Sequence, residues 1–194
     1  MDARHRILEA AFAAFTRHGY AAASTAEIAS AARVSKRELY ALVGKKREML
    51  VAAIRERAQR LELPANLPVP HDRESLAQVL TTFGAQLIRE TSDPVVVGAF
   101  RLAIAEAVRA PEVAEVLDSV GRATARAALR KLMAGARTAG LLEGSPGKLA
   151  DQFRGLLLGD MMIGLLLGVA EPPGPRASSA RARAAVEAFL QLQS

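Results

Sequence analysis

The sequence predicts an all-α protein, and three observations lead to this fold class. Apolar residues recur at intervals of three and four along almost the whole chain, which is the spacing of one face of an α-helix. Alanine and leucine are abundant, and no run of β-branched or aromatic residues alternates with polar ones. The chain has 194 residues, 51% of them hydrophobic, so it can bury a core of ordinary size.

The first helix is predicted to end at His18-Gly19, because glycine readily takes the left-handed conformation that terminates helices. Its apolar residues fall on one side of the helix, and they are Ile7, Leu8, Ala11, Phe12 and Phe15. Tyr20 follows the glycine and is expected in the core.

Two helix-start signals come next, eleven residues apart. Ser24 with Glu27, and Ser35 with Glu38, both fit the capping box. In that motif the serine hydroxyl accepts from the backbone N–H three residues on, and the glutamate reaches back to the serine N–H. The spacing leaves room for two short helices and predicts a helix-turn-helix.

The second of these helices is expected to bury Leu39 and either Leu42 or Val43, and to end at Gly44. A longer amphipathic helix should then run from Lys45 to about residue 63. We therefore assign residues 1–46 to a helix-turn-helix domain and residues 47–63 to a connecting helix.

Residues 64–74 are predicted to form a linker, because the stretch PANLPVPHD at 64–72 contains three prolines. Residues 75–194 form the C-terminal domain. Its expected helices span 75–91, 94–109, 111–139 with a bend near Gly121, 148–169 and 178–193, and a mobile loop is expected from Pro172 to Ser179.

Several classes of protein are excluded by the composition. Cysteine is absent, the N-terminus is charged where a signal peptide is apolar, and the longest apolar run has only 15 residues, so we expect a cytoplasmic protein without a membrane span. The three histidines, at positions 5, 18 and 71, lack metal-ligand spacing. The sequence contains no P-loop and no GxSxG motif, and no GxGxxG motif follows a predicted strand. We therefore expect no enzyme, no metal and no cofactor.

The positive charge is confined to the first third of the chain. Residues 1–60 carry 12 Lys and Arg against 6 Asp and Glu, whereas residues 61–194 carry 14 of each. The second short helix exposes Ser35, Lys36, Arg37 and Tyr40, which are side chains that reach phosphates and base edges in a major groove. The alternative is a helical module that binds a partner or an anionic membrane through this basic face.

The residues at this point match a known family. RILEAAFAAFTRHGY at 6–20 and STAEIASAARVSKRELYALVGKKREML at 24–50 resemble the DNA-binding domain of TetR-type transcriptional regulators. RLAIAEAVRAPEVAEVL at 101–117 and LADQFRGLLLG at 149–159 are similar to the AefR-like group of C-terminal ligand-binding domains within that family.

The resemblance implies a ligand-responsive repressor that binds a palindromic operator as a homodimer and is released by a small hydrophobic inducer. The DNA-binding residues that it implies are Ser24, Thr25, Ser35, Lys36, Arg37, Tyr40 and Lys46. The chain departs from the family pattern at Ala41, Leu42 and Val43, at Arg33, which replaces a frequent turn glycine, and at Lys45, which replaces a frequent N-cap residue. Because of these departures, Lys45 is added to the predicted DNA-binding residues.

Two further sets of residues are predicted in the C-terminal domain. A ligand cavity is expected to be lined by Phe83, Leu87, Phe100, Ile104, Leu129, Phe153, Leu157 and Met161, with Arg101, Glu106 and Arg154 as candidates to orient the ligand. A dimer interface is expected at Gly159, Met162, Leu166, Phe189 and Leu190, where GLLLG repeats would allow close helix packing.

Overall fold

The computed structural model describes residues 2–61 and 70–193, and all regular secondary structure in that part of the chain is helical. The N-terminal helices are α1 Ala3–His18, α2 Thr25–Ala32, α3 Lys36–Leu42 and α4 Lys46–Ala58, and the 3₁₀ turn Gln59–Leu61 follows them. The later helices are α5 Arg73–Ser92, α6 Pro94–Ala105, α7 Pro111–Val116, a π-helical segment Leu117–Arg122, α8 Ala123–Thr138, α9 Pro146–Leu158, α10 Met161–Leu167 and α11 Pro175–Gln191.

The chain divides into two compact units. The first contains the residues up to Arg60 together with Gly98–Ala123, and the second contains Leu61–Val97 with Thr124–Ser194. Residues 98–123, which the sequence places in the C-terminal domain, therefore pack with the N-terminal helices. Most of the predicted linker, residues 64–69, lies outside the described residues.

The first unit is built on the apolar face of α1. The five predicted residues of that face are buried, and the Phe15 ring lies 5.3 Å from the Tyr20 ring, measured between centroids. Gly19 has φ of +82° and donates its N–H to the carbonyl of Phe15, so the helix ends where the sequence predicts. On α4 the apolar face is also buried as expected, through Met49, Leu50, Ala53, Ile54 and Ala58.

The core of the second unit is formed mainly by α5, α8, α9 and α11. The rings of Phe153 and Phe189 meet edge to face with centroids 5.5 Å apart. Gly84 on α5 lets the neighbouring helices approach closely, because a Cβ at this position would lie 3.1 Å from Leu157 and 3.3 Å from Ala182. This close approach at a glycine is not predicted from the sequence.

The predicted single helix over 148–169 is wrong. Gly159 has φ of +45° and ψ of −134°, which ends α9 and separates it from α10. The guanidinium of Arg181 donates to the carbonyls of Leu157 and Leu158 at 2.6 and 2.8 Å, so a cation stabilises the C-terminus of α9. The two GLLLG repeats are therefore not the middle of a helix, since Gly159 and Gly168 are both helix C-caps.

Two other expectations concern helix continuity. The α-helical pattern changes near Gly121 as predicted, in the form of a π-helical segment, and a Cβ on Gly121 would lie 3.3 Å from Ile54. The expected mobile loop from Pro172 to Ser179 is wrong over its second half, because α11 begins at Pro175. There Ser178 is buried, and its hydroxyl donates to carbonyls of the preceding turn.

Candidate nucleic-acid interface

The helix-turn-helix is formed by α2 and α3. The Ser35 hydroxyl accepts from the N–H of Glu38 at 3.1 Å, as the capping box predicts. The Ser24 hydroxyl accepts from the N–H of Ala26, two residues on, and the Glu27 carboxylate is hydrogen-bonded to Nε2 of His18 at 3.0 Å. The predicted capping box at Ser24 is thus only half formed, because its glutamate contacts the end of α1.

The turn between the two helices contains a non-glycine residue in the left-handed region. Arg33 has φ of +56° and ψ of +48°, and its N–H donates to the carbonyl of Ser30. The conformation is the one that glycine adopts most easily, which explains why a glycine is frequent at this position in the resembling family. Here the arginine side chain is exposed beside α3.

The two sides of α3 differ sharply in exposure. Leu39 is fully buried, whereas Ser35, Lys36, Arg37 and Tyr40 are exposed. The helix therefore presents the predicted hydroxyl and basic side chains outward from a fixed apolar anchor.

Of the two residues that the sequence offers as a second apolar anchor of α3, Val43 is the more buried and Leu42 is exposed. Leu42 is 42% exposed, and Val43 is half-buried immediately after the last helical residue. The short helix ends before its apolar stripe completes another turn, so one leucine remains on the surface.

A surface groove lies beside α3 and includes the exposed Tyr40. It is lined by Thr25, Tyr40, Lys45 and Lys46 of the predicted set, together with Gly44 and Glu48. The hydroxyls of Thr25 and Tyr40 lie 3.1 Å apart and hydrogen bond to each other. This bond joins α2 to α3 and holds two hydroxyls where an anionic ligand could reach them.

Lys46 has partners inside the protein. Its Nζ donates to the carbonyl of Ala21 at 2.9 Å and lies 5.1 Å from the centre of the Tyr20 ring. Burial raises the pKa of the Tyr20 phenol, and the negative charge of Glu112 raises it further. Lys46 therefore holds the corner between α1 and α2 against α4, whereas the neighbouring Lys45 is exposed.

Glu106 belongs to the first unit, whereas the sequence predicts it in the C-terminal domain as a residue that orients a ligand. Its carboxylate accepts from the N–H of Tyr20 at 3.1 Å, although the two residues are 86 positions apart. The same oxygen lies 2.7 Å from where a Cβ on Gly19 would stand, so a side chain at this corner would displace the carboxylate, and the φ of +82° also favours glycine here. Glu106 was predicted to orient a ligand, and this hydrogen bond is what the structure shows instead.

Comparisons with known proteins agree with this architecture. A family model described as bacterial regulatory proteins of the tetR family matches residues 7–53, and a model described as the C-terminal domain of AefR-like transcriptional repressors matches residues 78–192. The chain belongs to the TetR family. Its members are transcriptional regulators, and the TetR-type domain model covers the helix-turn-helix described above.

Relatives of this TetR-family chain include the HTH-type transcriptional repressor SCO4008 of Streptomyces coelicolor. The two are 40% identical over 67 residues, which is 34% of each chain, so the match spans about a third of that curated relative. Among solved structures, a TetR transcriptional regulator from Agrobacterium tumefaciens is similar with a TM-score of 0.81 and 29% identity, covering 99% of this chain and 95% of the other. The flavonoid-responsive regulator FrrA is similar with a TM-score of 0.76 and 27% identity, covering 98% and 96%.

The predicted ligand-lining residues are divided between the two units. Phe100 and Ile104 belong to the first unit and the other six to the second. Ile104 is 63% exposed, and its place in a cavity wall stays a prediction. Five members form part of the packed core of the second unit, with Met161 against it: Phe83, Leu87, Leu129, Phe153 and Leu157.

The predicted dimer-interface residues also separate. Phe189 and Leu190 are buried in the core of their own unit, so they are not available to a partner and this part of the prediction is corrected. Met162 and Leu166 are half-buried, and Gly159 is exposed. Large apolar side chains that are exposed in this region are Leu156, Ile163, Leu167 and Val169.

Two further findings concern membrane spans and metal sites. Within residues 2–61 and 70–193, no helix is both long and apolar enough to cross a membrane. In the same part of the chain, no group of three or more metal-ligating side chains comes together.

Proposed function

We propose that this TetR-family chain is a ligand-responsive transcriptional repressor that binds a palindromic operator as a homodimer. The observation that carries the proposal is the exposure of Ser35, Lys36 and Arg37 on α3 while Leu39 anchors the helix in the core. A short helix with a fixed inner face and basic outer residues is the form in which helix-turn-helix proteins enter the major groove.

The residues of the face divide into two roles. Arg37 and Lys36 reach base edges, where arginine can form paired hydrogen bonds to guanine. The Thr25 and Tyr40 hydroxyls, Lys45 and the N-terminus of α2 bind phosphates and set the position of the protein on the duplex. Glu48 stays out of these contacts because its carboxylate accepts from the backbone N–H of Lys45.

A homodimer supplies the second recognition helix that a palindromic site requires. Such sites place their halves about one helical turn, roughly 34 Å, apart. We assign the interface to the exposed apolar residues of α9, α10 and the turn after α10, in place of the buried Phe189 and Leu190. A two-fold contact through this surface would bury side chains that are otherwise in contact with water.

The effector is proposed to be a small hydrophobic molecule. The core of the second unit consists of aromatic and aliphatic side chains, and a structural relative of similar length is named as flavonoid-responsive. An effector of this kind releases DNA only if it binds one conformation of the protein better than the other, because equal affinity shifts no population.

The proposal is tested by binding to DNA from upstream of the chain's own gene, measured by fluorescence anisotropy against scrambled DNA at several salt concentrations. We expect roughly a thousandfold preference for the specific site. Replacing Arg37 by alanine should weaken specific binding by about 1–3 kcal/mol and relax the sequence preference. Arg137, exposed on the last turn of α8, provides the control, since Arg137→Ala removes the same charge elsewhere.

The same measurement with added flavone tests the effector. A loss of operator affinity on addition would support the ligand-responsive part of the proposal. Equal affinity for all DNA sequences, with the Arg37 and Arg137 variants indistinguishable, would instead favour a helical module that binds polyanions or an anionic membrane through its basic face.

A further inference from the structure

Glu38 is an acidic residue on the part of α3 that also carries Lys36 and Arg37. All three side chains are exposed, and Lys45 is exposed shortly after the end of the helix. The phosphates of DNA repel a carboxylate on the surface that meets them, whatever the base sequence. The charge of Glu38 is therefore unfavourable for DNA binding unless the carboxylate makes a contact that only some sequences offer.

The capping box does not account for this glutamate. In a complete box the carboxylate of Glu38 would accept from the N–H of Ser35, as the carboxylate of Glu48 accepts from the N–H of Lys45 at the start of α4. At Ser35 only the other half of the motif is present, in which the hydroxyl accepts from the N–H of Glu38. Among residues 2–61 and 70–193, the Glu38 carboxylate has no hydrogen-bond or ion-pair partner, so both of its oxygens are available to a ligand.

The position of Glu38 around the axis of α3 places it beside Arg37. Successive residues of an α-helix are turned by about 100°, so Glu38 and Tyr40 lie on opposite flanks of the buried Leu39. The Tyr40 flank faces α2, because its hydroxyl hydrogen bonds to that of Thr25. Arg37 is about 200° from Leu39, on the outermost side of the helix. Glu38 therefore lies next to Arg37, on the flank opposite the contact with α2.

The chemistry of a carboxylate limits which base it can recognise. Its oxygens are acceptors only, so it needs a donor on the edge of a base. In the major groove the donors are the N4 amino group of cytosine and the N6 amino group of adenine, whereas guanine and thymine present acceptors. Adenine also presents its N7 acceptor beside N6, which repels a carboxylate. Cytosine is therefore the base that suits this side chain.

We propose that Glu38 is a specificity-determining residue that accepts a hydrogen bond from the N4 amino group of one cytosine in each half of the operator. The inference rests on the proposed function, because that function places α3 in the major groove. Arg37 selects guanine through its donors, and Glu38 beside it selects cytosine through its acceptors. The carboxylate also rejects bases that present an acceptor at the same position, which adds specificity by repulsion.

The test is the selection of binding sites by the full chain from a library of randomised DNA duplexes, followed by sequencing. We expect the wild-type chain to enrich a two-fold symmetric motif that contains a cytosine dependent on Glu38. Glu38→Gln should replace this cytosine by adenine, because an amide accepts from N6 and donates to N7 of adenine. The guanine that depends on Arg37 should remain in the motif of this variant.

Glu38→Ala gives a second, independent readout. The preference for cytosine, roughly tenfold or more in relative affinity, should disappear at that one position. Binding to scrambled DNA should become tighter by roughly a few-fold, since a charge that repels phosphates is removed. Because Glu38 is exposed, both variants are expected to fold.

Glu74→Ala is the matched control for the helix N-terminus. Glu74 is an exposed acidic residue in the first turn of α5, as Glu38 is in the first turn of α3, so both substitutions remove the same favourable interaction with a helix dipole. This control should select the wild-type motif.

Three results would overturn the assignment. If both Glu38 variants select the wild-type motif, the assignment fails while the proposed function stands. If both lose the whole motif, Glu38 acts on the fold of α3 and not on one base. If the wild-type chain enriches no motif, the proposed function fails together with this inference.

Discussion

At the scale of single residues, the two adjacent lysines at the start of α4 have different surroundings. The Lys46 ammonium donates to a backbone carbonyl and lies over the Tyr20 ring, while Lys45 is exposed. Both lie in the groove beside α3, so both can contribute to an electrostatic attraction for DNA. Only Lys46 also joins two parts of the fold.

This difference predicts different results for two alanine variants. Lys46→Ala should lower the free energy of unfolding by about 1 kcal/mol, because it removes a hydrogen bond and a cation–π contact at a partly exposed position. Lys45→Ala should leave stability unchanged. Each variant should weaken binding to all DNA sequences alike and reduce the salt slope by about one. Urea unfolding and anisotropy at several salt concentrations measure the two effects.

Lys45→Ala is the internal control for this pair, since it removes the same charge one residue away. If the two variants had equal unfolding midpoints, the contact between Lys46 and the α1–α2 corner would contribute nothing to the fold. A salt slope unchanged in both would exclude these lysines from the DNA contact.

At the scale of elements, the separation of α9 from α10 depends on the backbone at Gly159. Its φ of +45° with ψ of −134° is a combination that side chains with a Cβ rarely adopt. A Cβ there would also lie 3.1 Å from the Arg181 guanidinium, which caps the end of α9. The break therefore depends on both the glycine and the arginine.

We predict that Gly159→Ala destabilises the protein by about 1–3 kcal/mol, the cost of holding a residue in a disfavoured backbone conformation. Gly155→Ala is the matched control, because Gly155 lies inside α9 and no described atom lies within 4 Å of its added Cβ. That variant should be neutral or stabilising by up to about 1 kcal/mol, since alanine favours helix. Thermal unfolding of the two variants compares them directly.

The reverse order of the two midpoints would contradict this prediction, because the backbone conformation at Gly159 would then contribute less to stability than helix propensity does at Gly155.

At the scale of the whole molecule, the expected dimer requires an exposed apolar surface. Ile163 is 54% exposed, Leu167 71% and Val169 79%, and all three lie in or just after α10. Exposed aliphatic side chains clustered along one short stretch indicate a contact surface more often than isolated ones do. This stretch is the best candidate for the surface between two copies.

We predict that the double variant Ile163→Glu, Leu167→Glu converts a dimer into a monomer, because it places charge in an apolar contact. Light scattering at micromolar concentration measures the mass, and operator affinity should fall in parallel. Val108→Glu is the control, since Val108 is 95% exposed and belongs to the first unit. A wild-type chain that is already monomeric, or a double variant that stays dimeric, would contradict the assignment.

The local pattern of the sequence determined the all-α class, the end of α1 at Gly19, the Ser35 cap and the outward basic face of α3. These features depend on residue spacing, backbone preference and neighbours within one helical turn, and all three can be read from the sequence. The TetR family was also evident from the residues of α1 to α4.

Tertiary packing decided the rest. The apolar spacing of α9 and α10 continues across Gly159, so only the three-dimensional structure reveals the break and the Arg181 side chain that caps it. The aromatic side chain of Phe189 suits either a core or an interface, and its contact with the Phe153 ring places it in the core. Glu106 reaches a backbone N–H that is 86 residues away in the chain, and no local pattern encodes a contact of that separation.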